Sequence, residues 1–349
     1  MTDTGNKTKR ILIVNVNWLG DVLFSTPFIK AVSDRYKNSY IAALVHPRCR
    51  EILANNPKVD ELIIYDEDKR HRSIFGKIAL VAELRKKNFD TAFVLHRSFT
   101  KALLVFLAGV KERIGYATKN RQRILTGIAE EPPPGIHKVE YFLNILKTGD
   151  NRSALSGDIK YEFYPGRRDD DHIVSLLKSK GLKGGERFCV LNPGGNWDPK
   201  RWPRENFAQA ADAIAGEFGL KIVITGAKKD IRLAEAISSV MKEPPVIVCG
   251  DTTLGQLGAL MKRADLVIAN DTGPMHIAVA MGSRVIALFG PTSPEITGPY
   301  GKGIYKVVSK HSGCEVPCYD VTCQDNRCMS AIKVEDVLSA ARELLKGRS

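Results

Sequence analysis

Hydrophobic and polar positions alternate on two scales along this chain. Short runs of β-branched and aliphatic residues are separated by longer stretches in which apolar residues recur every three or four positions. In the first half the runs are Ile11–Val16, Tyr40–Val45, Leu62–Tyr65 and Thr91–Leu95, with helical patterns at Pro27–Tyr36, Arg48–Asn55 and Ile74–Lys87. After the polar stretch Tyr164–Asp171 a second series begins, with strand candidates Phe188–Asn192, Lys221–Thr225, Val246–Cys249, Leu266–Ala269 and Val285–Phe289, again with helices between. Strands alternating with helices of this length form βαβ units on a parallel sheet. The fold class is therefore α/β, two Rossmann-like doubly wound domains in succession, divided at residues 1–165 and 166–349. Pro132-Pro133-Pro134-Gly135 falls in a loop of the first domain, because helical periodicity resumes at Val139, Phe142, Leu143 and Leu146. A last helix is expected over Val334–Leu345.

The length of 349 residues fits two domains of ordinary size, and 44% hydrophobic with 26% charged residues is ordinary for a globular protein. The longest apolar run, Ala102–Val110, is closed by Gly109 and Lys111 and is too short to span a bilayer. Met1–Arg10 is polar and lacks the apolar core of a signal peptide, so a cytoplasmic protein is expected. The net charge of +13 is uneven: Lys69–Arg123 holds fourteen basic residues against Glu83, Asp90 and Glu112. That excess suits an anionic partner, either a phosphorylated lipid or a membrane surface. Nucleic acid fits less well, since Phe75, Phe89, Phe93 and Phe99 fall in apolar patterns that core packing explains better than base stacking. Cys314, Cys318, Cys323 and Cys328 cluster as C-x3-C-x4-C-x4-C, without the paired C-x2-C knuckles of a zinc site; reduced thiols are the simpler reading, and a structural metal stays open. Cys49, Cys189 and Cys249 lie in apolar surroundings and read as core residues.

In open parallel sheets, ligands bind where strands end and loops lead into helix N-termini. Three such loops stand out. The first is Asn15-Val16-Asn17-Trp18-Leu19-Gly20-Asp21, where Gly20 would permit a tight turn. There Asp21 is either the helix N-cap, the simpler account from spacing alone, or a general base. No G-x-G-x-x-G follows this strand. The second is Asn192-Pro193-Gly194-Gly195-Asn196-Trp197-Asp198-Pro199-Lys200-Arg201-Trp202-Pro203, whose glycines let backbone amides approach an anion and whose Lys200 and Arg201 add charge. The third is Asn270-Asp271-Thr272-Gly273-Pro274-Met275-His276, where the amides of Thr272 and Gly273 at a helix N-terminus could seat a phosphate and His276 lies one turn in. Two phosphate-friendly loops in the second half suggest a diphosphate nucleotide held there.

Asn17-Trp18-Leu19-Gly20-Asp21-Val22-Leu23 with Thr26-Pro27, Lys200-Arg201-Trp202-Pro203, and Asn270-Asp271-Thr272-Gly273-Pro274-Met275-His276 together resemble the bacterial ADP-heptose:lipopolysaccharide heptosyltransferases of glycosyltransferase family nine. Asn56-Pro57-Lys58-Val59-Asp60, Arg113-Ile114-Gly115-Tyr116 and the cysteine loop running into Met329 resemble the heptosyltransferase II branch. The resemblance implies a GT-B fold, two Rossmann-like domains facing a central cleft. An N-terminal domain would bind acceptor and a C-terminal domain ADP-heptose, with the last helix free to return to the first domain. It implies inverting heptose transfer to the inner core of lipopolysaccharide with Asp21 as base. Lys200 would bind phosphate, and Gly194, Gly195, Asn196, Asp271, Thr272, Gly273 and His276 would complete the donor site. The basic first half, with Arg97, Lys101 and Arg113 as candidates, suits an anionic acceptor at the inner face of the inner membrane. No Asp-x-Asp metal motif occurs, so fixed positive groups would serve the leaving diphosphate and no cofactor is expected. Where relatives can place an acid for the donor ribose, this chain has Gly226-Ala227-Lys228-Lys229-Asp230, which leaves Asp230 as a substitute. Other readings are a transferase for another nucleotide-sugar or glycan, a nucleotide-sugar epimerase, or a binding protein without turnover.

Overall fold

The computed structural model describes residues 8–148 and 159–346. The chain divides into two units, Met1–Glu162 and Phe163–Ser349, placing the junction three residues before the one expected from the polar stretch.

In the first unit β1 (Arg10–Val14), β2 (Tyr40–Val45), β3 (Glu61–Ile64), β4 (Thr91–Val94), β5 (Glu112–Tyr116) and β6 (Gly127–Ala129) form one sheet in the order β3-β2-β1-β4-β5-β6, every pair parallel. Its helices are α1 (Leu19–Phe24), α2 (Thr26–Arg35), α3 (Arg50–Leu53), α4 (Ile74–Lys86), α5 (Phe99–Leu107) and α6 (Lys138–Asn144). Ile11, Leu12, Ile13 and Val14 are fully buried, as a central parallel strand covered on both faces requires.

The second unit repeats the plan. β7 (Phe188–Asn192), β8 (Lys221–Ile224), β9 (Val246–Ile247), β10 (Leu266–Asn270), β11 (Val285–Phe289) and β12 (Tyr305–Ser309) run parallel in the order β12-β11-β10-β7-β8-β9. Around it lie α7 (Asp169–Ser179), α8 (Arg204–Phe218), α9 (Ile231–Ser238), α10 (Leu254–Arg263), α11 (Gly273–Ala280), α12 (Pro294–Thr297), α13 (Arg327–Ser330) and α14 (Val334–Leu345). The last helix buries Val337, Leu338, Ala341 and Leu345 in the second unit's own core, together with Phe207, Ile214 and Trp202. The Trp202 indole N–H donates to Ile332 O at 2.9 Å and ties the segment before α14 to the start of α8.

Three strands went unanticipated: β5, β6 and β12. Their burial is broken, because β5 opens on Glu112 and Arg113, β6 is three residues long, and β12 exposes Lys306 and Val307. Phe89 and Phe93 pack in the core as expected, but Phe75 is 79% exposed and Phe99 is 40% exposed, contrary to the core role their patterns implied.

Candidate functional site

Each sheet has one place where the strand order reverses. It falls between β1 and β4 in the first unit and between β7 and β10 in the second. Neighbouring loops diverge there and open a crevice at the carboxyl ends of the strands. Two of the predicted loops flank the second reversal and one follows β1 at the first.

At the first reversal, the chain leaves β1 through Asn15 and enters α1 at Leu19, so Trp18 occupies the N-cap position and Asp21 is the third helical residue. Asp21 is thus not the cap that spacing alone favoured, and Gly20 lies inside the helix rather than in a turn before it. Asn17 is gripped by side chains from three elements. Its Oδ1 accepts from Lys101 Nζ at 2.5 Å, its Nδ2 donates to Glu67, and its carbonyl accepts from Cys49 Sγ at 3.1 Å. Buried Asn15 donates to Ser25 Oγ at 2.9 Å, which fixes the joint between α1 and α2. Trp18 remains exposed, with Arg48 5.1 Å above its ring. Burial pushes the Cys49 thiol up to about 12, against the pull of Arg48 and Lys101 and with the charge of Asp21 adding to the rise. That thiol is therefore a hydrogen-bond donor here, and Asp21 sits near enough to be felt by it.

The three basic residues expected at an acceptor occupy different surroundings. Arg97 follows β4, is exposed, pairs with Glu131 at 3.2 Å and lies 5.9 Å from the Tyr141 ring. Lys101 is only 2% exposed, and burial lowers it to about 8 although the Glu67 charge opposes the shift. It braces the loop through Asn17 and does not face solvent. Arg113 stands at the opening of β5, where its guanidinium donates to the carbonyls of Ile124 (2.6 Å), Lys111 (3.0 Å) and Val110, with Phe106 beneath it. It is a clamp at the amino end of the sheet, remote from the carboxyl-end loops. A further member of the basic cluster, Arg121, is fully buried and donates to Tyr116 O at 2.6 Å and to His96 O. Burial first, then Lys101, Arg121 and Lys119, push His96 down to about 3, so its imidazole is neutral.

At the second reversal, Lys200 Nζ meets Asp271 Oδ2 at 2.7 Å, with Lys200 17% and Asp271 7% exposed. Thr292 Oγ1, from the loop after β11, donates to the same oxygen at 2.7 Å, and His276 Nε2 lies 3.8 Å from Asp271 Oδ1. Burial would raise the Asp271 carboxyl, but His276 and Lys200 outweigh it and hold the group at about 2. Lys200 also lies 4.8 Å from the Trp197 ring centre. Thr272 stands at the N-cap of α11 in an extended conformation without a side-chain cap bond, its carbonyl accepts from Met275 N at 3.1 Å, and Pro274 in the first turn has no N–H to place. The loops are held by amides: Asn270 Nδ2 donates to Pro193 O at 2.8 Å and its Oδ1 accepts from Trp202 N at 3.2 Å, while Asn192 Oδ1 accepts from Thr272 Oγ1 at 3.3 Å.

Gly194 is glycine for a reason other than the one expected. A Cβ there would come within 2.8 Å of Asp230 Oδ2, and one on Gly226 within 2.9 Å of Asp230 Cβ. Asp230 is 6% exposed and accepts from Ala227 N at 2.9 Å, so it locks the turn after β8 beneath Gly194. Gly195 is buried, its carbonyl accepts from Arg201 at 2.9 Å, and Asn196 is exposed. Lys228 is exposed with its stem over Gly250, where an added Cβ would lie 2.6 Å from its Cγ. The cysteine loop closes the same end of the unit: Cys318 N donates to Pro291 O at 2.7 Å, and Tyr319 meets Trp197 edge-on at 6.4 Å. All seven cysteines are free, and among the described residues no group of three or more His, Cys, Asp or Glu is placed to hold a metal ion.

Thr292 and Glu67 escaped sequence reasoning, as did the bracing roles of Asn192, Asn17 and Lys101, residues named there for their motif or charge. A polar residue ending an apolar strand was the available signal for Asn192, whereas Glu67 and Lys101 reach Asn17 only through the fold.

In each unit a loop at the strand-order reversal carries candidate chemistry, Asp21 just after β1 in one and the Lys200–Asp271 pair in the other, at the carboxyl ends of strands where open parallel sheets bind ligands. A family model for glycosyltransferase family 9 (heptosyltransferase) matches residues 77–328, and the chain belongs to that family. It is 28% identical over 303 residues to lipopolysaccharide heptosyltransferase 2 of Escherichia coli K12, covering 83% of this chain and 85% of that protein. Among solved structures, it superposes with TM-score 0.88 on the glycosyl transferase family 9 protein of Veillonella parvula DSM 2008, at 28% identity over 97% of both chains. On E. coli ADP-heptose heptosyltransferase II the TM-score is 0.80, at 24% identity, covering 96% of this chain and 98% of that one. The protein is a glycosyltransferase with the GT-B fold, two Rossmann-like units. Among the described residues, no helix is long and apolar enough to cross a membrane.

Proposed function

We propose that the enzyme moves heptose from ADP-heptose to the inner core of lipopolysaccharide, with the first unit binding acceptor and the second binding donor. The observation that carries this reading is the pairing of chemistries at the two strand-order reversals: Asp21 in the first turn of α1, behind the braced Asn17, at one, and Lys200 paired with Asp271 before α11 at the other. An acceptor hydroxyl loses its proton to Asp21 as its oxygen attacks the anomeric carbon. The bond from that carbon to the diphosphate breaks, and ADP departs with the electron pair. Lys200 and the amides around Thr272 and Gly273 stabilise the diphosphate charge, while Asp271 holds Lys200 in place. Gly194 and Gly195 shape the loop, exposed Asn196 is free to meet the donor, and buried His276 lies beside Asp271. Arg97 is the best-placed acceptor contact of the three first proposed, since Lys101 is buried and Arg113 is engaged by carbonyls. The acceptor is anionic and lipid-borne, so the enzyme works peripherally at the cytoplasmic face of the inner membrane.

The test is ADP release from ADP-heptose with purified inner-core acceptor carrying no heptose or one. Stimulation by the one-heptose acceptor alone supports a second transfer, and stimulation by neither would overturn the assignment of acceptor. In the same assay Asp21→Asn should lower turnover by about a hundredfold or more with donor affinity retained. Near-normal turnover would remove Asp21 from the mechanism.

A further inference from the structure

Helix α4 carries its apolar residues on both sides. Leu80 and Leu84 face the core, as a surface helix requires. Yet Ile74 is 64% exposed, Phe75 79% and Ile78 57%, and Ala79 and Ala82 are exposed as well. Positions 74, 75, 78, 79 and 82 share one helical face, so nine residues of helix, about 12 Å, present a continuous apolar stripe away from the core. Large aliphatic and aromatic side chains gathered this way mark an interaction surface rather than the scattered exposure of an ordinary helix.

The surroundings of the stripe say what it meets. Lys69, Arg70 and Arg72, in the turn before the helix, are exposed, and Arg85 and Lys86 continue the exposed face at its far end. The acids of the turn itself are engaged: Asp66 Oδ1 accepts from Lys69 N at 3.0 Å, Glu67 from Asn17, and Asp68 lies 3.0 Å from His46 and 3.2 Å from Arg48, while Glu83 on the helix lies outside the stripe of positions 74, 75, 78, 79 and 82. The turn is also rigidly built. His71 is 1% exposed, its N–H donates to Asp66 O at 2.7 Å and its Nδ1 accepts from Asp66 N at 3.0 Å. A Cβ on Gly76 would lie 2.3 Å from Arg70 O, so only glycine lets the turn fold down onto the helix. A fixed apolar stripe rimmed by cations matches an anionic bilayer interface, in which apolar side chains sink below the headgroups and lysines and arginines pair with phosphates.

We propose that the N-terminal half of α4 and the turn before it form the surface by which the protein docks on an anionic lipid bilayer, with Ile74, Phe75 and Ile78 inserted and Lys69, Arg70 and Arg72 at the headgroups. The inference deepens the reading of a lipid-borne acceptor by assigning the docking to particular residues.

Co-sedimentation of the full chain with phosphatidylglycerol/phosphatidylethanolamine vesicles, against phosphatidylcholine vesicles, tests it without donor or acceptor present. The wild type should bind the anionic vesicles, and more weakly as salt rises. Phe75→Ser with Ile78→Ser should weaken partitioning at least about tenfold, and Arg70→Glu with Arg72→Glu by a similar factor. All four positions are exposed, so unfolding midpoints should stay at the wild-type value and confirm intact variants. Equal binding to neutral vesicles, equal binding by the variants, or no binding by the wild type would overturn the proposal. So would a wild-type self-association that the Phe75/Ile78 variant abolishes while vesicle binding persists, because a second copy would then cover the stripe. Transfer to a soluble, delipidated acceptor should be unaffected in both variants; loss of that activity in the wild type would refute the transfer reading without touching the docking surface.

Discussion

Replacing Asp271 with Asn removes one charge from a buried pair while keeping the side chain's volume. The carboxylate is 7% exposed, 2.7 Å from Lys200 Nζ and 2.7 Å from Thr292 Oγ1. Two independent routes give the size of the loss. A carboxyl held at about 2 instead of its ordinary 3.8 contributes ~2 kcal/mol to folding at neutral pH. Breaking one side of a buried ion pair costs about 3–5 kcal/mol, with the lower end applying here because an amide still accepts from Thr292 and Lys200. A destabilisation of ~2–3 kcal/mol follows, or a fall of about 5–10 °C in the unfolding midpoint of a unit this size.

The pH dependence carries the sharper test. The folded carboxyl is depressed, so its contribution is complete above pH 3.8 and is lost as pH falls through about 2. Denaturant unfolding of wild type and Asp271→Asn at neutral pH and at steps between pH 4 and pH 2 should show the gap closing toward acid. An unchanged midpoint at neutral pH, or a gap constant across the acid range, would refute the idea that the Lys200–Asp271 pair is a strong buried interaction.

Three further outcomes follow from particular contacts. Gly194→Ala should destabilise the second unit by ~1–3 kcal/mol, because the new Cβ would press on Asp230 Oδ2 at 2.8 Å; an unaltered melt would mean that the turn after β8 yields freely. Lys101, lowered to about 8, works against the fold below that pH and the penalty fades as pH rises toward 10.5. The stability of Lys101→Met relative to wild type should therefore fall between pH 8 and pH 10.5, and the variant should turn over slowly because Asn17 is released; a difference constant across that range would contradict the account. Brief maleimide labelling read by mass spectrometry should modify the half-exposed Cys314, Cys318 and Cys323 well before buried Cys49, Cys189, Cys249 and Cys328; early modification of Cys49 would show that its thiol is not held as a donor.

The apolar periodicity revealed the inner strands because they are buried on both faces, so burial alone writes their pattern. The strands it missed, β5 and β12 above all, have one face or one end in water and mix Glu112, Arg113 and Lys306 into the run. The sequence pointed to the candidate site where its residues are consecutive, as in the segments that carry Asp21, Lys200 and Asp271 past the strand ends. The site was illegible where it depends on residues far apart in the chain. Lys101 and Arg113 belong to one basic cluster, yet one is buried against Asn17 and the other clamps carbonyls at the sheet's opposite end. Phe75 misled for a related reason: helical spacing locates a residue on a helix but not on the side that faces the core.

The two reversals share a device that helps to order their loops alongside the charged contacts of Lys101, Glu67 and Lys200. Three of the four strands bordering them end in buried asparagines: Asn15 after β1, Asn192 closing β7 and Asn270 closing β10, while β4 runs out in Val94 and Leu95. Where parallel strands part, the first loop residues lose the neighbour that would satisfy their backbone groups, and a buried unpaired N–H or C=O is costly. An amide side chain offers donor and acceptor together. Asn270 uses both, donating to the Pro193 carbonyl and accepting from the Trp202 N–H, while Asn15 accepts from Val16 N at 2.8 Å and donates to Ser25. Aspartate or lysine at these positions could supply only one half of that exchange and would place a full charge within the crevice. A neutral bracket adds no charge of its own to the field set by Asp21, Lys101 and Glu67 in one unit and by Lys200, Asp271 and the α11 amides in the other.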